Sequence, residues 1–418
     1  MGIGTVIGYI NQIFISRTLG VDEFGIYTFT LGLMNLVRTV ISFDLDIAAV
    51  RYVSIYSGKS DWSRFRGFVR ASRWFIVVVS SLAAVVCFLL ALIFRARLQP
   101  GLFHAIVASC VLLVPAAWLT LEVALLQALR SVYGARVPNQ LIRPIVLMGA
   151  LYFLIKIVDF PATGATAILA SVAGALVGLL LTFVVMQRST PQAVRSASAK
   201  TETPEWARFC LLNIAGSLVY LILSQQGDIV IVGSLVGTRY SGLYAAASQI
   251  SSLSFIGVAA VNQFTAPLLS QFHSLGSEAK MRSLLSRSIL LNTSISVPIN
   301  VALILLGPLI LNTFGAAFVA AYPVILILMV GNLVNAIWGG LWGDLLTMTG
   351  FQTESTILVV VVTTINLALT LVLTPRYGIL GAALATSAAV VVRSVVLAFV
   401  IRKRLHFWPW TVFRPLKT

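Results

Sequence analysis

Asn35, Arg38, Ser42 and Asp46 recur at spacings of three, four and four within the otherwise apolar run 25–47. On a helix that spacing puts all four side chains on one face. A charge at that depth costs at least about 2.5 kcal/mol to insert, so the face must meet a cavity or a partner. Either Arg38 and Asp46 pair with each other or snorkel to the interface, or they line a path for a polar substrate. A longer stripe, Asn213, Ser217, Tyr220, Ser224 and Asp228, follows the same period in the run 208–232. Gln249, Ser252 and Gln263 share one face of the run 242–270, and the first run carries Asn11 and Gln12. Hydrogen bonds that glue helices together are the plain reading of the Ser and Asn residues; a polar, net basic cavity would explain all four stripes together. Among the carboxylates, Asp228, Asp46, Glu122 and Asp344 are the candidates to bind a coupling Na+ or H+. Arg143, before Pro144, and Arg393, near the end of the last run, can snorkel and read as structural.

The elements that must hold these residues are membrane spans. Of the 418 residues 59% are hydrophobic and 10% charged, and mean hydropathy is +0.97, whereas soluble domains carry about 25% charged residues. Apolar runs long enough to cross a hydrocarbon core of about 30 Å fall at 1–16, 25–47, 74–94, 102–126, 140–158, 164–186, 208–232, 242–270, 288–312, 320–347, 355–374 and 379–401. None shows the ten-residue alternation of a membrane barrel. The expected fold is therefore an all-α integral membrane protein of twelve helices: a six-helix lobe over 1–187, a Ser/Thr/Pro-rich cytoplasmic linker over 188–207, a second lobe over 208–401 and a basic tail over 402–418. The first run is short and has no basic residue before it, which leaves open whether the N-terminus is complete. It lacks the basic start and cleavage site of a signal peptide.

A net charge of +16 would suggest a nucleic-acid partner in a soluble protein, but here the basic residues sit in short loops between apolar runs. Of 29 Lys and Arg, 21 fall on one side if both termini are cytoplasmic, against six on the other. An offset of 217 residues carries Gly20, Gly25 and Tyr27 onto Gly237, Gly242 and Tyr244, Gly164-Ala165 onto Gly381-Ala382, and Asn11 onto Asp228. A parallel internal repeat follows, with a substrate path where its halves meet. Small-residue pairs such as Gly4/Gly8, Gly174/Gly178 and Gly339/Gly343 suit close helix packing, and Pro298 suits a kink. Cys87, Cys110 and Cys210 lie in apolar runs as packing residues, with no spacing for metal or disulfides. Without a phosphate-binding loop, a zinc-helix motif or a dinucleotide fingerprint, the chain reads as no enzyme and no ATPase.

Several segments carry a family resemblance: RTLGVDEFGIYTFTLGLMNL and DLDIAAVRYVS in the first half, then GLYAAASQISSL, APLLSQFHSLG, AAYPVILILMVGN and LTPRYGILGAALATSAA in the second. In this order and spacing the chain resembles the Wzx-type polysaccharide flippases of the multidrug/oligosaccharidyl-lipid/polysaccharide exporter superfamily. The resemblance implies two six-helix bundles around a central cavity, alternating access, and a bacterial inner-membrane location. It implies a polyprenyl-diphosphate-linked oligosaccharide, such as an O-antigen unit of lipopolysaccharide, moved to the outer leaflet, and a polymerase and assembly proteins as partners. Arg38 best matches a cavity cation for the diphosphate. The rival within the superfamily is a Na+- or H+-coupled exporter of small cationic or amphipathic compounds, which should prefer acidic cavity residues.

Overall fold

The computed structural model describes residues 2–223, 225–275 and 277–405, with the side chains of nearly all of them. Among these every regular element is a helix, with no strand. It divides into two compact units, Met1–Leu221 and Ile222–Thr418.

The first unit opens with α1 (Gly2–Ser42), whose helical path breaks at Gly20 (φ 76°). Left-handed backbone of this kind favours glycine, so one long helix serves as two segments. Phe43 and Asp44 are both left-handed (φ 51° and 54°) and end α1. There follow α2 (Leu45–Gly58), α3 (Trp62–Ile93), α4 (Pro100–Ala128), the short α5 (Val132–Arg136), a π-turn at Val137–Ile142, α6 (Arg143–Lys156) and α7 (Gly164–Ser189). The centre of this unit is α4, which is apolar on all sides and packs against α1, α2, α3 and α7. Its Leu112, Leu113, Leu119, Leu125 and Leu126 are buried, as expected of a helix with no polar face. The glycine pair on α7 brings α6 close, because a Cβ at Gly174 would lie 2.9 Å from the Arg143 carbonyl oxygen.

The stretch 188–207 is not a free linker. A short α8 (Gln192–Ser196) leads to an extended piece along α3, then α9 (Thr203–Leu223). Lys200 N–H donates to the Ser63 carbonyl at 3.0 Å, Arg66 donates to the Arg195 and Ala197 carbonyls at 2.8 and 2.6 Å, and Arg64 meets Glu202 at 2.8 Å. Trp206 Nε1 donates to the Tyr56 hydroxyl at 2.9 Å and its ring meets Phe68 edge-on at 5.0 Å. These contacts attach the start of α9 to the first unit, so the compact units divide at 221 while the composition changes at 208.

The second unit holds α10 (Gln225–Leu235), α11 (Thr238–Ser252), α12 (Phe255–Ser274), α13 (Glu278–Phe314), α14 (Tyr322–Val334), a π-turn at Asn335–Gly339, α15 (Gly340–Met348), α16 (Gln352–Tyr377) and α17 (Ile379–Leu405). Its pairs α16/α17 and α14/α17 pack most closely, and Leu269, Leu285, Leu341, Trp342, Leu345 and Ile401 form one core. The helix α13 continues through Pro298 and Pro308. Gly237, at the 217-residue offset from Gly20, is again left-handed (φ 122°), so both units turn a helix at the same place in the sequence.

Nine helices among the described residues are long and apolar enough to cross a membrane, or ten if the bent pair of α11 and α12 is one span. Twelve is not reached: α1 counts once despite its break at Gly20, and α9 with α10 is not among the nine. The outward faces suit lipid. Val78, Leu82, Val85 and Leu89 of α3, and Leu384, Val391, Val395 and Phe399 of α17, are exposed apolar stripes, stable only in an apolar solvent. The chain is a multi-pass membrane protein.

The docked linker yields a test. A Cβ at Gly67 would sit 1.9 Å from the Lys200 carbonyl oxygen. Mid-helix Gly→Ala ordinarily adds about 1 kcal/mol of stability, but a backbone oxygen at that distance must give way. Gly67→Ala should therefore release the linker, and trypsin should cut after Lys200 several-fold faster than in the parent; an unchanged rate would refute the docking.

Candidate functional site

In the first unit the polar face of α1 is assembled around Arg38. Its Nη1 donates to Thr120 Oγ1 on α4 at 2.5 Å, while its buried Nε has no partner among the described residues. Arg143, half-buried at the start of α6, is near enough for its charge to act on Arg38, as the Asp46 carboxylate does in the opposite sense. Arg143 itself makes a long contact, 3.4 Å, to Asn139 Oδ1 in the π-turn. No salt bridge neutralises either guanidinium among the described residues. Elsewhere on α1, Asn11 Oδ1, Gln12 Oε1 and Thr30 Oγ1 are buried with no hydrogen-bond partner among the described residues. A buried polar atom left alone costs about 1–3 kcal/mol, so each is one that a bound water, ion or ligand would complete.

Three members of the predicted stripe keep their face and one leaves it. Asn35, Arg38 and Ser42 lie on α1, but the left-handed pair Phe43–Asp44 puts Asp46 in α2, on a different axis. Ser42 Oγ turns back to the Thr39 carbonyl at 3.1 Å. The buried carboxylate at this corner is Asp44, 3% exposed, bonded to Ser217 with Oδ2 unpartnered. Its neighbour Asp46 obscured it, because the helical period selects 46 and passes over 44.

Glu122 is not a free carboxylate. Arg73 grips both its oxygens at 2.6 and 2.8 Å, Trp118 Nε1 donates at 2.8 Å, and the side chain is fully buried. This bidentate pair joins α3 to α4, a structural task that replaces the coupling role expected from the sequence. Arg73 lies 49 residues away in sequence, and no helical period points to it.

The expected stripe from Asn213 to Asp228 is divided between α9 and α10. Asn213 spends its amide on the Phe209 carbonyl of its own helix at 2.7 Å; Ser224 and the side chain of Tyr220 lie outside the described residues, as does the side chain of Asp344. Gln249 and Gln263 do not share one helix face: the α11/α12 pair bends by 45° between them, and Gln263 is exposed. Asn332 spans that break, donating to the Ser251 carbonyl at 3.1 Å and Ser254 Oγ at 2.9 Å. Arg393 is held by Asn335 Oδ1 at 3.0 Å.

Asp228 makes the second unit's centre. It is 1% exposed and accepts from Tyr244 at 2.9 Å and Thr386 at 2.7 Å, with no cation paired to it among the described residues. Ser241 Oγ, bonded to the Ile229 carbonyl at 2.5 Å, ties α11 to the next residue of α10. In the first unit the repeat sets Asn11 where Asp228 stands and Tyr27 where Tyr244 stands; Tyr27 bonds Ser171 on α7. Each unit thus keeps a buried tyrosine beside a hydroxyl on a later helix, but only the second adds an acid. Thr386 escaped the sequence reading, since a threonine in an apolar run carries no signal by itself.

Comparison with known proteins matches residues 1–273 to the polysaccharide biosynthesis protein family. The chain belongs to that family. Over 404 residues, 94% of the chain and 80% of the relative, it is 22% identical to a probable low-salt glycan biosynthesis flippase, Agl15, of Haloferax volcanii. It is 26% identical over 215 residues to a probable flippase, AglR, of the same organism; that match covers 51% of the chain and 44% of AglR, so the chain spans under half the length of this relative. Among solved structures, an inward-facing MATE-family multidrug transporter of the MOP superfamily matches with TM-score 0.77 at 13% identity, covering 96% of the chain and 94% of the transporter. The lipid II flippase MurJ matches with TM-score 0.68 at 15% identity, covering 96% and 86%. At those identities the likeness shows the fold, and this member of the polysaccharide biosynthesis family has the fold of that transporter superfamily.

The Arg73–Glu122 assignment predicts an asymmetry. Arg73→Met leaves a buried, unpaired carboxylate and should destabilise the purified protein by about 3–5 kcal/mol, whereas adding Glu122→Leu to it should recover most of that loss. Thermal unfolding of the three proteins in detergent measures it; equal damage in the single and double variants would refute the pair.

Proposed function

We propose that the chain is a flippase that carries a polyprenyl-diphosphate-linked oligosaccharide from the cytoplasmic to the outer leaflet of the cell's cytoplasmic membrane, for surface polysaccharide assembly. The carrying observation is Arg38, bonded to Thr120 with Arg143 nearby: two guanidiniums that no salt bridge neutralises among the described residues, on a helix that also carries unsatisfied buried polar atoms. Guanidinium forks suit diphosphate oxygens, and the bare acceptors on Asn11 and Gln12 suit sugar hydroxyls, which donate. A cationic cargo would instead meet like charge at Arg38 and Arg143. Membership of a polysaccharide biosynthesis family and two flippase relatives support the same reading.

In this reading the headgroup binds along the Arg38 face of the first unit while the polyprenyl chain stays in lipid. The two units then expose the site to either side in turn, by alternating access. Asp228 is the coupling carboxylate: its buried oxygens and the hydroxyls of Tyr244 and Thr386 form an all-oxygen set for Na+, or a place for a proton. Polymerase and assembly proteins acting downstream would draw the product away. No step makes or breaks a covalent bond, so the chain acts as a transporter and not as an enzyme.

Proteoliposomes containing only this chain test the reading, with translocation read as accessibility of the glycan to an external modifying reagent. Arg38→Ala removes one charged contact of about 1.5–3 kcal/mol, which should raise half-saturating substrate roughly ten- to a hundredfold; Arg38→Lys should restore part of it. Transport by Arg38→Ala at the parent's affinity would sink the assignment. With an imposed Na+ or H+ gradient, Asp228→Asn should keep basal flipping and lose its stimulation by the gradient; full stimulation would place coupling elsewhere.

A further inference from the structure

Outside the two sites, a strongly charged recess of about 610 Å³ lies between α3 and the turn from α7 into α8. Its floor is apolar: Phe65, Val69, Met186 and Val194 are all buried. Its rim carries Arg66, Arg70, Arg73 and Arg195. Arg73 is spent on Glu122, but the other three have no carboxylate partner among the described residues. Arg66 donates to two linker carbonyls and Arg195 to the Gln187 carbonyl at 2.8 Å. Those bonds orient two guanidiniums while leaving their charge uncompensated, and all three arginines are exposed.

The recess runs directly into the lipid face of α3. Trp74, at its edge, is 68% exposed and begins the stripe that continues through Val78, Leu82 and Val85. An indole at the head of an apolar stripe, beside a ring of arginines, is the arrangement found at the headgroup level of a bilayer. A soluble anion would have no use for the apolar floor, whereas a phospholipid fits both parts: phosphate on the rim, acyl chain along α3. The positive residues of 51–73 and 188–208 place this rim on the cytoplasmic side, where anionic lipid is drawn to basic pockets between helices.

We propose that this recess is a binding site for the phosphate headgroup of an anionic phospholipid of the inner leaflet, held by Arg66, Arg70 and Arg195. The occupant would brace α3 against the docked linker, since Arg66 and Arg195 belong to both the rim and the linker contacts. The site is independent of the transported substrate and of Arg38.

Trp74 supplies the readout. The full chain is reconstituted with brominated phosphatidylglycerol or brominated phosphatidylcholine, and the quenching due to Trp74 is obtained by difference from Trp74→Phe. Phosphatidylglycerol should quench several-fold more effectively, and Arg70→Gln should cut that preference about fivefold. Arg70 bonds no protein group among the described residues, so this variant should fold. Native mass spectrometry of the unmodified protein should show phosphatidylglycerol retained in preference to phosphatidylcholine. Equal quenching by the two lipids, or a preference untouched by Arg70→Gln, overturns the site. Displacement of the brominated lipid by millimolar inorganic phosphate, or by a stoichiometric polyprenyl diphosphate, overturns the assignment to phospholipid.

Discussion

An ionisable group within an apolar helix bundle must be neutralised by a neighbour or kept ready for a ligand, because the surroundings solvate charge so poorly. The buried charges meet this constraint in two ways. Glu122 is closed: both carboxylate oxygens meet Arg73, a tryptophan adds a third bond, and the result is a strut between α3 and α4. Arg38 and Asp228 are open, each held by hydroxyls and not by an opposite charge. A hydroxyl can orient a charged group without cancelling it, which separates a site from a strut.

Breaks in the helices bring these groups into position. The left-handed Gly20 lets one long helix turn between Asn11 and Arg38, and the left-handed pair at Phe43–Asp44 ends the polar face before Asp46. The glycines of α7 let the α6 backbone approach, which fixes where Arg143 begins. In the second unit Gly237 repeats the turn of Gly20, and Tyr244 from the helix that follows reaches Asp228. The repeat therefore preserves a scaffold of turns and tyrosines while the acid is added on one side alone.

The helix α3 serves three environments along its length: its first turns hold the linker, its middle anchors Glu122, and its far half faces lipid. That sequence of roles explains why so apolar a helix begins with four arginines, Arg64, Arg66, Arg70 and Arg73, each engaged differently. Arg64 meets Glu202, Arg66 the linker carbonyls, Arg73 a buried acid, and Arg70 faces outward.

Local composition carries the features that can be read along the chain. The helical class, the membrane spans and the 217-residue correspondence of Gly20 with Gly237 follow from apolar length and from glycine's freedom of backbone, both readable residue by residue. Arg38 and Asp228 stood out for the same reason, since a charge in an apolar run is conspicuous wherever the chain goes. Tertiary structure decided which charges are available. Glu122 and Asp228 look alike in the sequence, and only the arrival of Arg73 from another helix neutralises the one while Thr386, 158 residues distant, merely orients the other. It likewise decided that Asp44, not Asp46, is the buried acid at the end of α1, because two left-handed residues interrupt the period on which that reading relied. Whether a charge is paired depends on contacts between helices far apart in the chain, which a helical period does not encode.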